Sequence, residues 1–156
     1  DSHDISGKIM DRRDWRHVTE QKLKEAFEKF TGILEQTPPM VSALKHQGVR
    51  LYQLARAGKV VDRQKRTITV HELRIEEINL PYVRFFARVS KGTYLRTLVN
   101  DLGEALDSLA TLTDLRRVRS GSFSLEDLVP ISELRKMDRH QLRNFVKQVP
   151  ISIAVG

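Results

Sequence analysis

The amino-acid sequence predicts a domain of mixed α and β structure, in either the α/β or the α+β class. Two segments repeat their hydrophobic residues at helical spacing, and segments between and after them alternate as strands do. The 156 residues are enough to enclose one hydrophobic core. With 40% hydrophobic and 30% charged residues, the composition is that of a globular protein rather than of a disordered or membrane-embedded chain.

The first half of the chain predicts two helices. Residues 19–30 carry hydrophobic side chains at positions i, i+3, i+4 and i+7, with Thr19 as the N-cap and Gly32 just beyond the end. A shorter helix is expected over residues 49–57, where Gly58 ends it.

The strand signals lie further along the chain. Residues 68–75 contain two apolar pairs that are out of step, which predicts a strand with a bulge between the pairs. Residues 83–89 alternate apolar and polar side chains and predict a half-buried strand that Gly92 ends. Pro38 and Pro39 exclude a helix before these strands, because proline removes backbone donors.

The second half begins with another helical pattern. Leucine and valine repeat over residues 95–109 and predict a helix of about 15 residues. Residues 115–123 are predicted to form a strand that Gly121 interrupts. Ser132 and Asp138 are the expected N-caps of two short final helices.

Several classes of protein and site are excluded by what the sequence lacks. The absence of cysteine excludes disulfide scaffolds, zinc fingers and thiol nucleophiles, and it is compatible with a cytoplasmic protein. No apolar run reaches the roughly 18 residues of a membrane span, so we expect no membrane association. Asp1, His3 and Asp4 offer oxygen and nitrogen ligands, but an exposed polar terminus explains them better, and we expect no metal and no cofactor.

The chain is basic, and the positive charge is concentrated. The net charge is +7 and the isoelectric point is near 9.9, which favours a polyanionic partner such as nucleic acid. Residues 45–75 contain eight basic and two acidic residues: Lys45, Arg50, Arg56, Lys59, Arg63, Lys65, Arg66 and Arg74 against Asp62 and Glu72. A second group consists of Arg84, Arg88, Lys91, Arg96, Arg116, Arg117 and Arg119. A solvated protein surface is the competing interpretation of such charge runs.

The most informative segment is S-K-G-T-Y-L-R-T at residues 90–97, where a strand passes into a helix. Tyr94 offers a face for stacking on a base and a hydroxyl for a polar atom. Arg96 can hold a carboxylate in a bidentate pair and lower its pKa. A helix start with one buried aromatic side chain and one solvated arginine explains the same residues without any chemistry.

Two other segments leave similar alternatives open. In the run at residues 115–117, alternation places Leu115 in the core, and the two arginines that follow suit phosphate contacts or a solvated strand edge. Residues 38–58 form a long, basic and partly irregular insertion. Such insertions are either functional lids or plain surface loops.

These segments, in this order, resemble the bacterial TruB family of tRNA pseudouridine synthases. The resemblance is carried by F-T-G-I-L-E-Q-T-P-P-M-V-S-A-L-K at residues 30–45, by residues 48–58, by K-G-T-Y-L-R-T-L at residues 91–98 with D-L-G at 101–103, and by L-R-R at 115–117. The opening D-S-H-D-I-S-G is similar to the family segment T-D-T-x-D-x-x-G after its first threonine. Val41 stands where the family often has an aromatic residue.

The resemblance implies an α+β pseudouridine-synthase fold, a mixed and largely antiparallel sheet flanked by helices. Residues 1–130 correspond to the C-terminal portion of the catalytic domain, and residues 131–156 to the start of a small C-terminal RNA-binding region, PUA-like or equivalent. Composition also changes near residues 128–132, and residues 149–155 are an apolar end with no visible partner. The family's catalytic aspartate lies in a G-x-L-D-P motif that this chain does not contain, so the fold is expected to be incomplete here.

The resemblance also assigns roles to individual residues. Tyr94 matches the family's active-site tyrosine beneath the flipped uracil, and Arg96 the arginine that pairs with the catalytic aspartate. Leu115 matches the apolar contact to the target base, and the insertion at residues 38–58 matches the element that closes over the T-loop. Further substrate contacts are expected from Lys45, Arg116 and Arg117, and RNA backbone contacts from Arg63, Lys65 and Arg66.

The implied activity is the cofactor-free isomerisation of the uridine at position 55 in the T-loop of tRNA. The expected partner is the T-arm of tRNA. The N-terminal portion of the same enzyme is expected to be needed for activity, and the protein is expected to be a monomer. The alternative is a non-catalytic basic RNA-binding domain or RNA-folding factor. A G-x-L-D-P segment before residue 1 favours the enzyme, and its absence there favours the alternative.

Overall fold

A computed structural model of the chain describes residues 2–143. The described residues divide into two compact units, with the division between Leu115 and Arg116. The apolar end at residues 149–155 lies outside the described part. The predicted domain boundary near residue 130 stays a prediction.

The first unit combines helices with antiparallel sheet. Its elements in chain order are α1 (Glu20–Lys29), β1 (Gly32–Gln36), β2 (Lys45–His46), β3 (Val49–Arg50), α2 (Leu51–Arg56), β4 (Arg66–Asn79), β5 (Tyr82–Val89) and α3 (Leu95–Ala105). Strands β1, β4 and β5 form one antiparallel sheet in the order β1-β4-β5, and β2 pairs with β3 as a separate hairpin. This arrangement confirms the α+β class.

The long strand β4 is the centre of the sheet. Its register against β5 shifts between Val70 and Glu72, where the out-of-step apolar pairs predict a bulge. A second shift, between Ile75 and Glu77, is not predicted by the sequence pattern. Strand β1, which pairs along the other side of β4, was also missed. Its signal is weak, because Ile33 points away from the core and is 76% exposed.

The core lies between the sheet and the helices α1 and α3. Leu23 and Phe27 of α1, Val70 of β4 and Leu98 of α3 are all buried, Val70 completely. The ring of Phe27 also meets Phe85 of β5 edge to face, with centroids 5.5 Å apart. Burial on this scale stabilises the unit by about 1.5–3 kcal/mol per large apolar side chain.

Helix α3 is shorter than its apolar repeat predicts. It ends at Ala105, and Asp107 takes a left-handed conformation with φ of 54°. The chain then folds back so closely that a Cβ on Gly103 would overlap the backbone nitrogen of Ala110. The leucine repeat therefore continues into a turn rather than into more helix. Even α3 has only 11 residues, and no helix of residues 2–143 has the length and hydrophobicity to cross a bilayer.

The second unit consists of short elements. They are β6 (Arg119–Ser120), β7 (Phe123–Ser124), a 3₁₀ turn at Leu125–Asp127, α4 (Ile131–Leu134) and α5 (Arg139–Arg143). The predicted interruption at Gly121 is confirmed, because the chain turns there between β6 and β7, but residues 115–118 of the predicted strand are not strand. Ser132 lies inside α4, which Pro130 precedes. Asp138 is a true N-cap, since its carboxylate accepts the Gln141 N–H at 2.8 Å.

Candidate functional site

Arg96 lies in the first turn of α3 and joins three separate segments of the chain. Its Nη1 donates to the Ser2 carbonyl and to Asp4 Oδ2, both at 3.2 Å. Its Nη2 donates to the carbonyl of Val41 at 2.9 Å. The planar guanidinium thereby ties the start of the chain and the start of the insertion to the helix.

Asp4 is the carboxylate that the structure places on Arg96. Both side chains are only 24% exposed, so water screens the pair weakly. Hydrogen bonds from Ser6, and then from Ser2, lower the pKa of Asp4, and the Arg96 charge adds to the effect. The carboxylate is therefore ionised at neutral pH. No local sequence pattern links Asp4 to Arg96, since the two residues are 92 positions apart.

Tyr94 precedes α3 as its N-cap residue and is half-buried. Its backbone N–H donates to Gln36 Oε1 at 2.8 Å, and its carbonyl accepts from Gln36 Nε2 at 3.1 Å. Both hydrogen bonds use the backbone of Tyr94, which leaves the phenol ring out of the pair. Gln36 is 3% exposed and was not among the predicted site residues.

His3 is a second polar residue whose electrostatic neighbours include Arg96. His3 has a left-handed φ of 62°, and its Nδ1 is buried without a hydrogen-bond partner. Burial lowers the pKa of His3 and raises the pKa of Asp101 on α3. The charge of Asp101 partly offsets the lowering at His3, and the charge of His3 partly offsets the raising at Asp101. Among residues 2–143, no three histidine, aspartate or glutamate side chains come together as a metal site.

The insertion at residues 38–58 is fastened where it leaves the sheet. Pro38 and Pro39 are buried, and Arg63 Nη1 donates to the Pro38 carbonyl at 2.9 Å. Arg63 is consequently half-buried and hydrogen-bonded within the protein. It differs in this from an exposed arginine whose guanidinium is free to contact a phosphate. Its predicted role on the RNA backbone stays a prediction.

A cavity of about 310 Å³ opens at this point of the insertion. Lys45, His46, Arg63 and Arg66 line it, and Asp62 is the acidic residue among its lining groups. The charged groups of the lining are thus Lys45, Arg63 and Arg66 against Asp62, a balance that suits an anion such as a phosphate group.

The basic residues fall into two sets according to their partners. On the β4–β5 hairpin, Arg74, Arg84 and Arg88 form ion pairs with glutamates, and Arg84 Nη2 lies 2.8 Å from Glu77. In contrast, Lys65 and Arg66 are exposed and form no ion pair with any other residue of the described range. The glutamates that pair with Arg84 and Arg88 lie on the neighbouring strand β4, whereas those that pair with Arg74 lie two positions away on its own strand.

The remaining predicted contacts lie at the end of the first unit and beyond it. Leu115 is 53% exposed, so its expected core position is wrong, and the side chain is open to a binding partner. Arg116 and Arg117 belong to the second unit and are exposed. Their predicted roles in substrate binding stay predictions.

Comparison with known protein families identifies the family to which the chain belongs. Residues 1–95 match the family described as TruB family pseudouridylate synthase (N terminal domain), and residues 96–154 match the tRNA pseudouridylate synthase B C-terminal domain. The chain belongs to the TruB family of pseudouridylate synthases. The resemblance of the sequence motifs to this family is thereby confirmed.

Curated TruB relatives cover most of this chain. It is 44% identical to the tRNA pseudouridine synthase B of Geobacter sulfurreducens over 137 residues, which are 88% of this chain and 45% of that protein. It is 47% identical to the protein of the same name from Geotalea uraniireducens over 133 residues, 85% of this chain and 43% of that protein. The chain thus spans slightly less than half the length of these relatives.

A solved structure supports the same fold. The described architecture is similar to a chain in the crystal structure of a Cbf5-Nop10-Gar1 complex, with a TM-score of 0.63 and 30% sequence identity. The similarity covers 83% of this chain and 35% of that chain. The expected pseudouridine-synthase fold is confirmed by this match.

Proposed function

We propose that this chain is the C-terminal portion of the catalytic domain of a tRNA pseudouridine synthase that acts on uridine 55 in the T-loop. The observation that carries the proposal is the Arg96 cluster, in which Arg96 binds Asp4 and the backbone of Ser2 and Val41 within segments typical of the TruB family. The enzyme acts as a cytoplasmic monomer.

The reaction breaks the C1′–N1 bond of uridine, rotates the uracil and forms a C1′–C5 bond, and C5 releases a proton while N1 takes one up. It needs a carboxylate that stays ionised in a pocket with little water, either as base or as nucleophile. The family places this aspartate in a G-x-L-D-P segment that is absent from the present sequence. Arg96 has five N–H donors and uses three of them on Ser2, Asp4 and Val41, so the same guanidinium can also hold that carboxylate ionised and oriented.

The remaining residues bind and expose the target base. A uridine in a folded T-loop must leave its stack before the enzyme reaches it, and the ring of Tyr94 offsets part of this cost. Leu115, half-exposed at the end of the first unit, supplies an apolar contact to the base. Lys45, Arg116 and Arg117 bind the substrate, and Arg63, Lys65 and Arg66 lie along the RNA backbone.

Tritium release from tRNA labelled at C5 of uridine tests the activity. The natural full-length protein should release tritium at a rate that depends on enzyme, whereas the 156-residue chain alone should match a control without enzyme. A full-length protein that binds tRNA but releases no tritium supports the non-catalytic RNA-binding alternative. Turnover by the 156-residue chain contradicts the need for an aspartate outside it.

The salt dependence of tRNA binding tests the RNA-facing surface. If Lys65 and Arg66 neutralise phosphates, replacing both by alanine should reduce the slope of log K against log salt by about 0.7 to 0.9 for each phosphate. The matched control is the double replacement of Arg74 and Arg84 by alanine, because these two arginines already pair with glutamates. Equal slopes for both double variants contradict the assignment. Arg63 is left intact, since it bonds to Pro38.

A further inference from the structure

Gln36 is a buried polar residue whose two amide atoms both bond to the backbone of one other residue. Its oxygen accepts from the Tyr94 N–H at 2.8 Å, and its nitrogen donates to the Tyr94 carbonyl at 3.1 Å. The side chain thus imitates a neighbouring peptide group of a β-ladder. Such a reciprocal pair fixes the position of the Tyr94 backbone far better than a single hydrogen bond does.

We infer that Gln36 is a positioning residue that sets the direction of the Tyr94 ring in the active site. The inference rests on the proposed function. Tyr94 is the N-cap residue of α3 with φ of −98° and ψ of 104°, and its side chain makes no capping hydrogen bond. Its carbonyl accepts both the Leu98 N–H of the helix, at 3.0 Å, and the Gln36 amide. Its N–H comes before the hydrogen bonds of the helix and donates to Gln36. These bonds together hold the conformation, and the backbone conformation sets where the Cα–Cβ bond of Tyr94 points.

The amide of Gln36 is itself rigidly held. Gln36 is the last residue of β1 and pairs with Arg66 of β4, so the sheet determines where its side chain begins. Only Thr37 separates it from Pro38, where the insertion starts. Gln36 therefore places Tyr94 relative to the sheet and to the base of the insertion at once.

The alternative is that Gln36 only satisfies two buried backbone groups and contributes to stability. The two roles differ in what a folded variant does. A positioning role lowers the rate of the chemical step in protein that remains folded and still binds tRNA. A purely structural role lowers the folded fraction and leaves the rate of the folded enzyme unchanged.

The test compares three variants of the natural full-length protein. Gln36→Leu keeps the size of the side chain and removes both hydrogen bonds. Gln36→Glu keeps an acceptor for the Tyr94 N–H but, when ionised, has no donor for the Tyr94 carbonyl. Leu23→Ala truncates a buried core side chain of α1 and serves as the destabilised control, because Leu23 contributes no atom to the Gln36–Tyr94 pair.

Single-turnover rates with saturating enzyme, tRNA dissociation constants and folded fractions are measured for each. We expect Gln36→Leu to slow the chemical step about 10-fold or more, with tRNA affinity changed by less than about 3-fold and Leu23→Ala at the wild-type rate. Gln36→Glu should gain rate relative to wild type as the pH falls, because a protonated carboxyl regains the donor. Hydrogen exchange at the Tyr94 amide should be faster in Gln36→Leu.

Two results overturn the inference while leaving the proposed function intact. One is a folded Gln36→Leu enzyme within about 3-fold of the wild-type rate, which is below 1 kcal/mol of barrier. The other is an equal loss of rate in Leu23→Ala at the same folded fraction. A wild-type full-length protein that makes no pseudouridine overturns the proposed function instead, and with it the role of Gln36.

Discussion

Replacing Arg96 by lysine should slow the chemical step much more than it weakens tRNA binding. The guanidinium makes three hydrogen bonds through two nitrogens, to Ser2 and Asp4 from Nη1 and to Val41 from Nη2. Lysine keeps the positive charge but carries all its donors on one atom, so it cannot reach acceptors on both sides. The variant therefore separates the geometry of the fork from its charge.

The size of the effect follows from the contacts. At 3.2 Å the attraction between Arg96 and Asp4 lies between about 1.3 kcal/mol in water and about 5 kcal/mol at an effective dielectric constant of 20. Lysine keeps part of this attraction, but it loses up to two charged hydrogen bonds, each worth about 1.5–3 kcal/mol. If about 2–3 kcal/mol of the loss reaches the transition state, the rate falls about 30- to 150-fold.

Single-turnover rates and tRNA dissociation constants of the full-length protein measure the two effects separately. The dissociation constant should change by less than about 3-fold, because the three Arg96 contacts are within the protein. A double-mutant cycle with Asp4→Asn should show a coupling of about 1 kcal/mol or more between the two residues. A rate for Arg96→Lys close to the wild-type rate, or a loss confined to tRNA binding, would refute the reasoning.

Three further predictions concern neighbouring positions. Tyr94→Phe keeps the stacking ring and removes the hydroxyl, and the single-turnover rate should fall about 100-fold or more because the hydroxyl transfers a proton; a rate within about 3-fold of wild type refutes that role and leaves stacking alone. Gly103→Ala gains about 1 kcal/mol of helix propensity, but its Cβ would overlap the backbone nitrogen of Ala110. Overpacking costs about 1–3 kcal/mol or more, so thermal unfolding should occur at a lower temperature, and a higher one contradicts the close approach. Asp4 has a lowered pKa in the folded protein, so the stability it contributes is present above the ordinary aspartate pKa of about 3.9 and is lost as the pH falls through the lower folded value. The stability difference between wild type and Asp4→Asn should therefore shrink below about pH 4 in urea titrations, and a constant difference contradicts the assignment.

The sequence predicts those parts of the fold that depend on local patterns. Helix α1 forms where expected, with the Thr19 side chain accepting the Lys22 N–H, because the cap and the apolar face are both encoded within a few residues. The bulge after Val70 is also visible locally, since a bulge reverses the alternation of apolar side chains.

The errors arise where contacts that hydrophobic periodicity does not encode decide the outcome. The leucine pattern continues past Ala105, but the approach of Ala110 to Gly103 ends the helix, and periodicity carries no signal of that approach. Likewise, the motif containing Arg96 marks it as functional without showing its partners. Asp4 and Val41 are far apart in the sequence, and only the fold brings both of them to Arg96.

The contacts that position the candidate site share one chemical feature. Gln36 bonds the backbone of Tyr94, Arg63 the carbonyl of Pro38, and Arg96 the carbonyl of Val41. A backbone acceptor is present whatever side chain the residue carries, so these contacts do not depend on the identity of the acceptor residue. Val41 can therefore stand where the family often has an aromatic residue and still bind Arg96. The donors are under the opposite constraint, because only asparagine shares the amide of Gln36, on a stem one methylene shorter, and no other side chain has the guanidinium of Arg96.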